Sequence, residues 1–266
     1  MSAAAVPAPR PRRRWIWVIV AILTALVAVP PFALRIWLKA EIQHQTEQVP
    51  VAAQPVMALQ VDSPGVSVSI SQGHGRHVTM SSTASWLVRK PVIRQAWHGR
   101  TLKVSTSCPR LDPFEDCQEN LAVQVPAGIT VLVDVGSGSA TAQGLTGPLH
   151  LRATTGAFIL MGVRGPVWAS VTSGSVNGWG LRSPQLNASA DSGSLAVAFD
   201  SPPQLLTLAV SSGSASATVP RGTRYRVSVR AGRGSLQVQP GLADGTSAQV
   251  IRATARTGSL AFAYPS

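Results

Sequence analysis

Acidic side chains are scarce in this sequence. Asp and Glu together number 11 in 266 residues, and charged residues of both signs make up 13% of the chain. Lysine occurs three times against 20 arginines, cysteine twice and histidine five times. Each shortage excludes something. A polysaccharide lyase or hydrolase needs carboxylates clustered on one face, and the regular part of the chain beyond residue 130 offers Asp134, Asp191, Asp200 and Asp244. Two cysteines without a nearby histidine fall short of a closed zinc site. No glycine-rich phosphate loop with its lysine is present. Such a low charged fraction is also unusual for a soluble globular protein.

What charge there is clusters. The formal net charge is +12, but Arg10, Arg12, Arg13 and Arg14 precede an apolar run, and Arg35 and Lys39 follow it. Setting these six aside leaves 17 basic against 11 acidic residues, too mild an excess to read as a nucleic-acid surface. The run itself, Trp15–Leu34, is 20 residues without a charge. A helix of that length spans ~30 Å, the hydrocarbon core of a bilayer. Trp15, Trp17 and Trp37 fall at its two interfaces, and the excess of arginine before it puts the N-terminus inside. A cleaved signal peptide is the alternative, but Pro30 and Pro31 make a poor cleavage junction. The expected organisation is therefore a basic cytoplasmic tail (1–14), a signal anchor embedded in the lipid bilayer (15–34), a stalk (35–55) and an extracytoplasmic remainder. In that compartment Cys108 and Cys117 read as a local disulfide, or less readily as part of a metal site with Asp112, Glu115 and Asp116.

The remainder is periodic. Seven small triplets centre on Gly138, Gly156, Gly174, Gly193, Gly213, Gly234 and Gly258, with spacings of 18, 18, 19, 20, 21 and 24. A period near 20 announces a repeat architecture. Seven, five and three residues before each glycine, and two and four after it, 34 of 35 residues are apolar and the other is Gly178. Six, four and two residues before each glycine, three of 21 are apolar: Leu132, Trp168 and Ala209. Alternation of this kind means a strand with one buried face. The phase breaks at the glycine, so the chain turns a corner there, where glycine tolerates positive φ. One such unit cannot bury its inner face alone, so the units must stack. The expected fold is all-β: a parallel β-solenoid of about seven coils over residues 131–266. Ser139, Ser175, Ser194, Ser214, Ser235 and Ser259 would form a hydrogen-bonded ladder beside the corners, interrupted at Ala157. Residues 56–130 are less regular. "PGVSVSIS" has Val66, Val68 and Ile70 facing inward, and these residues read as wider coils capping the stack, with the Cys108–Cys117 loop as an excursion.

The stretch "VPAGITVLVDVGSGSATAQGLTGPLHLRATTGAFILMGVRGPV" resembles the bacterial putative-adhesin family of β-strand-repeat proteins, a domain of unknown function. Members run a "VP-x-G" strand into "SG" turns every 18–20 residues, often behind one N-terminal membrane helix. The resemblance covers residues 56–266 and implies adhesion. Serine or alanine here follows the glycine where many members have aspartate, so no calcium role carries over from relatives.

The search for chemistry returns little. Asp134 and Asp191 are three coils apart, ~14 Å, too far for an acid–base pair. "GHGRH" (His74, His77) reads as solvated surface. No cofactor and no metal is expected. Two outward features remain. Trp168 and Trp179 flank one corner with His150 a coil away, ready to stack on a sugar ring or partner unless a loop covers them. Arg221, Arg224, Arg226, Arg230, Arg233, Arg252 and Arg256 make the last coils basic, either toward an anionic cell-wall glycan or lipid headgroup or as a solvated face that deters end-to-end stacking. Trp168, Trp179, Arg230 and Arg252 are thus the candidate ligand residues. The expected function is that of a non-catalytic adhesin or envelope scaffold; a carbohydrate-active β-helix enzyme and a regulatory partner domain for another membrane protein are the rivals.

Overall fold

The computed structural model describes residues 18, 19, 22 and 24, then 43–86, 90–107 and 118–265. Val18, Ile19, Ile22 and Thr24 are helical. Among the described residues no helix is long and apolar enough to cross a membrane. The Trp15–Leu34 span as a whole lies outside the described residues, as do Cys108 and Cys117.

The rest is all-β, one large and mostly parallel sheet. Its centre is five long strands that follow one another in sequence and space: β8 (Thr130–Gln143), β9 (Leu149–Met161), β10 (Val167–Leu181), β11 (Gln185–Phe199) and β12 (Leu205–Thr218). Each pairs in parallel with the next, glycine against glycine: Gly138 with Gly156, then Gly174, Gly193 and Gly213. Val131 of β8 lies beside Leu149 of β9, with 144–148 as the connection. Straight, 14 residues would run ~46 Å, whereas five can bridge at most ~18 Å. Each long strand must therefore fold back at its glycine into two arms, so that its end returns close to its start. The connections add a third inward side that the strand alternation did not reveal: Leu145, Val163 and Leu181 are buried at equivalent places on successive coils, and Ser183, also buried, donates its hydroxyl to the Gln185 carbonyl at 2.7 Å.

Burial follows the sequence period with the phase break in place. In β10, Val167, Ala169 and Val171 before Gly174, and Val176 and Gly178 after it, are buried. The same holds in β8, β9, β11, β12 and β15 (Val250–Ala263), where the inward set ends in Leu260 and Phe262, at 0% and 1% exposure.

The order of the coils at both ends differs from the order in sequence. β15 pairs with β12, Gly258 against Gly213, and so occupies the place expected for the Gly234 repeat. That repeat, β13 (Arg226–Arg233) and β14 (Leu236–Val238), pairs with the outer side of β15 and ends the stack. Its inward residues pay accordingly: Val227, Val229, Ala231 and Val238 are half-buried and Leu236 is 46% exposed. At the other end, β2 (Ala58–Ser63) and β3 (Ser67–Gln72) lie against the two arms of β8. Val66, Val68 and Ile70 are buried there, as expected. Beyond them lie β6 (Thr101–Ser107) on β2 and β7 (Gln118–Val125) on β3, in the same parallel pairing. Residues of this region do cap the stack, through antiparallel strands: β5 (Val92–His98) on β6 and β4 (Thr79–Trp86) on β7, with β1 (Gln43–Val49) beyond β4. Antiparallel neighbours end a parallel stack without presenting another parallel template.

The corners correct one expectation. Gly174, Gly193, Gly213 and Gly258 have φ between 135° and 150°, but Gly138, Gly156 and Gly234 do not have positive φ. What all seven share is lack of room. A Cβ on Gly138 would stand 2.8 Å from the Val66 carbonyl oxygen, and on each of the others it would overlap the carbonyl oxygen of the glycine in the adjoining coil. Glycine is required here because backbones approach each other, a demand of stacking more than of dihedral angle.

The serine ladder is corrected as well. Ser175, Ser194, Ser214 and Ser259 stand in register. Among the described residues no hydroxyl–hydroxyl bond joins them; Ser67 and Ser139, at 3.2 Å, are the pair that meets. Repeated side chains in a parallel stack are offset by ~4.8 Å, beyond the ~2.8 Å reach of one hydroxyl to another in the same rotamer.

Candidate functional site

Once the coils are stacked, residues two, three or four repeats apart become neighbours on one outward surface. On the first arm, six residues before each corner, Leu132, His150, Trp168, Asn187, Thr207 and Arg252 are consecutive register partners. Two residues further on, a second row runs Asp134, Arg152, Ser170, Ser189, Ala209, Thr254 and Arg230. Trp168, Arg252 and Arg230, selected separately in the sequence, therefore share one face. Trp179 does not. It lies on the second arm of β10 beside Met161 and is 48% exposed.

The His150 and Trp168 rings are stacked, with centroids 4.5 Å apart and planes within 4°. Register explains this. Both rings project from the same position on adjacent coils, and the ~4.8 Å spacing of paired strands is close to an aromatic stacking distance. No loop is needed to cover Trp168, because His150 covers one face of its indole. On the other side stands the shorter Asn187, and a shallow cleft of about 280 Å³ runs beside all three residues, lined by His150, Arg152, Trp168, Ser170, Asn187 and Ser189. A second open groove, about 460 Å³, continues from Ser189 toward Ala209, Ser211, Arg230, Thr254 and Arg256, with Asp191 on its wall.

The arginines differ in what they do. Arg221 donates two hydrogen bonds to the Pro265 carbonyl, at 3.1 and 2.8 Å, and ties down the C-terminal segment. Arg224 stands 3.9 Å from Asp244. The Asp244 carboxyl is held below the usual carboxylate range, chiefly by the Thr246 hydroxyl and amide that bond to it, and secondarily by Arg224. The ion pairs among the described residues are this one, Lys90–Glu47 and Arg182–Asp200, so Arg226, Arg230, Arg233, Arg252 and Arg256 have no acidic partner within 4.0 Å.

Sequence reasoning missed one pair. Asp62 of β2 is the register partner of Asp134. Two carboxylates thus sit on adjacent coils next to Arg152. Their separation of 72 residues hides the pairing, and nothing but the docking of β2 on β8 reveals it. Among the described residues no group of three His, Cys, Asp or Glu side chains comes together. His74 and His77 are exposed. A buried carboxylate does occur elsewhere. Glu119 on β7 is 5% exposed, accepts a 2.9 Å hydrogen bond from the Ser82 hydroxyl through Oε1, and has no partner at Oε2. Burial raises its pKa, with the Ser82 bond opposing.

No protein-family model and no curated protein sequence matches the chain. Solved structures of similar arrangement do exist. One is named a putative adhesin from Bacteroides fragilis NCTC 9343, 14% identical, with 84% of this chain and 97% of that one covered and a TM-score of 0.45. Another is named a putative cell adhesion protein from Clostridium sporogenes ATCC 15579, 11% identical, with 84% and 100% covered and a TM-score of 0.38. A third is named a putative lipid binding protein from Parabacteroides distasonis ATCC 8503, 11% identical, with 84% and 97% covered and a TM-score of 0.38.

Proposed function

We propose that this chain is a non-catalytic surface adhesin or envelope scaffold. In this reading the parallel stack is a β-solenoid carried outside the cytoplasm on the Trp15–Leu34 anchor, with the expected stalk shortened because Gln43–Val49 joins the sheet as β1, and it presents the outward face of its first arms to a cell-wall glycan or a protein partner. The observation that carries the reading is the His150–Trp168 ring stack, set on a rigid sheet face beside an open cleft. Aromatic rings fixed on a rigid element lose little entropy on binding and offer large contact area. The test is adhesion itself. Beads coated with the protein should adhere to cell envelopes or host-cell surfaces, and Trp168→Ala should reduce their retention. Retention no better than that of uncoated beads on every surface tried refutes the role.

A carbohydrate-active enzyme is the second reading, favoured by the Asp62–Asp134 adjacency beside Arg152 and His150. Two neighbouring carboxylates are the groups that glycosidic hydrolysis uses. Scoring glycans for cleavage as well as for binding separates the two, and turnover lost in Asp134→Asn would overturn the non-catalytic role.

A further inference from the structure

The two ends of the first-arm face differ in charge and chemistry. At one end Asp62 and Asp134 are adjacent. In the middle stands Trp168 with one ring face taken by His150. From Trp168 the next register positions are short and polar, Asn187 and Thr207, and then comes Arg252, three coils on and ~14 Å away. The parallel row has Ser189 and Ala209 for its floor and Arg230 at its end. The result is a trough with an aromatic wall at its start, hydroxyl and amide groups along its bed, the single carboxylate of Asp191 on one wall, and several unpaired guanidinium groups at its far end.

The coil order decides what the arginines are for. Were β15 the last coil, its arginines would read as edge protection. But β15 is paired on both sides, with β12 and with β13. Arg252 and Arg256 therefore guard no free edge. No acidic residue occurs in β13 or β15, which together hold Arg226, Arg230, Arg233, Arg252 and Arg256. The uncompensated guanidinium groups of Arg252 and Arg256, kept on an interior coil at the end of a small-residue trough, with Arg230 beside them on the end strand, suit an anionic ligand that lies along the stack.

We infer that the trough from Trp168 to Arg252 and Arg230 binds an acidic oligosaccharide, one whose sugar rings alternate with or consist of uronic acids. This rests on the adhesin reading and specifies its ligand. A pyranose presents a C–H face to the open side of the Trp168 indole. Its hydroxyls meet Asn187, Ser189 and Thr207. A carboxylate two rings along reaches Arg252, and one a further ring along reaches Arg230, by paired N–H donors. The acidic end of the face, Asp62 and Asp134, repels the ligand's carboxylates and sets its direction along the stack. An acidic peptide would need main-chain hydrogen-bonding groups, and β10, β11, β12 and β15 along the trough have both edges paired, which leaves only the outer edge of β13, past the trough's end.

The test is calorimetric titration of the full chain, held in nanodiscs of zwitterionic lipid, with a hyaluronan octasaccharide, and in parallel with chitohexaose, inorganic phosphate and anionic phospholipid vesicles. The hyaluronan fragment is expected to bind at least tenfold more tightly than chitohexaose, with affinity falling as salt rises. Trp168→Ala and the Arg252→Gln/Arg256→Gln pair should each weaken it about tenfold or more. Trp179→Ala, on the other arm, should leave it unchanged, and matching thermal melts exclude misfolding. Equal binding of the neutral and acidic sugars overturns the inference, as does binding of phosphate or vesicles alone, or binding indifferent to Trp168. If coated beads adhere to cells and the octasaccharide does not compete, the ligand assignment fails while the adhesin reading stands. If the beads do not adhere yet the octasaccharide binds at Trp168, the adhesin reading fails and the assignment stands.

Discussion

Replacing Gly213 by alanine tests the stack at its most constrained point. Gly213 has φ of 139°, a conformation that costs an L-residue about 1–3 kcal/mol. A Cβ built there overlaps the Gly193 carbonyl oxygen, and the carbonyl carbon behind that oxygen is 2.9 Å away. Both obstacles are backbone, so no side chain can swing aside. Nor can the corner retreat toward the other neighbour, because Gly258 already approaches the Gly213 carbonyl from that side. Relief requires the two coils to part at the corner, at a cost of about 1 kcal/mol for each ladder hydrogen bond that lengthens beyond use. With roughly two such bonds the total is about 3–5 kcal/mol. Gly144→Ala is the control. Gly144 also has positive φ, 67°, but nothing lies within 4 Å of its Cβ position. It should lose only the about 1–2 kcal/mol of a left-handed L-residue. Urea and thermal melts of both variants give the comparison, with Gly213→Ala expected to melt of order 10 °C below the native protein. If Gly213→Ala costs no more than Gly144→Ala, backbone contact between corners is not what selects glycine, and the stacking argument fails.

Other expectations follow from particular groups. Because burial raises the Glu119 pKa, the folded chain holds its proton to higher pH than the unfolded chain, and stability falls as pH rises between the two pKa values. Glu119→Gln should therefore raise the melting temperature at pH 7 and have little effect at pH 4; an equal shift at both would refute the ionisation argument. Tyr225 is fully buried with no partner for its hydroxyl, so Tyr225→Phe should be neutral or stabilising by about 1 kcal/mol in urea melts, and a clear loss would reveal a bond to that hydroxyl. Reporter fusions at residue 5 and at the C-terminus should report opposite compartments, and a cytoplasmic C-terminal reporter sinks the signal-anchor topology. Mass spectrometry of the unreduced protein should find the Cys108 and Cys117 peptides linked, and two free thiols would refute the disulfide.

The division between what was legible in the sequence and what was not has a physical basis. Strand alternation, its phase break and the period near 20 are local consequences of which side chains must face inward, so the inward residues of β8 to β12 and of β15 could be read off directly. Glycine at the corners was legible as a type, but its reason was not, because a collision with the next coil's carbonyl exists only once the coils are stacked. The order of the coils was not legible at all. Nothing local says that Val250–Ala263 slots between Leu205–Thr218 and Arg226–Arg233, since either repeat offers the same parallel edge; the difference is global, because the better inward set, ending in Leu260 and Phe262, is fully buried only in the interior place. The same holds for the candidate site. Trp168, Arg230 and Arg252 were visible singly as outward residues of unusual type. That three of them share one face, that His150 lies flat on Trp168, and that Asp62 meets Asp134 across 72 residues are facts of register, and register between distant repeats is fixed by tertiary packing alone.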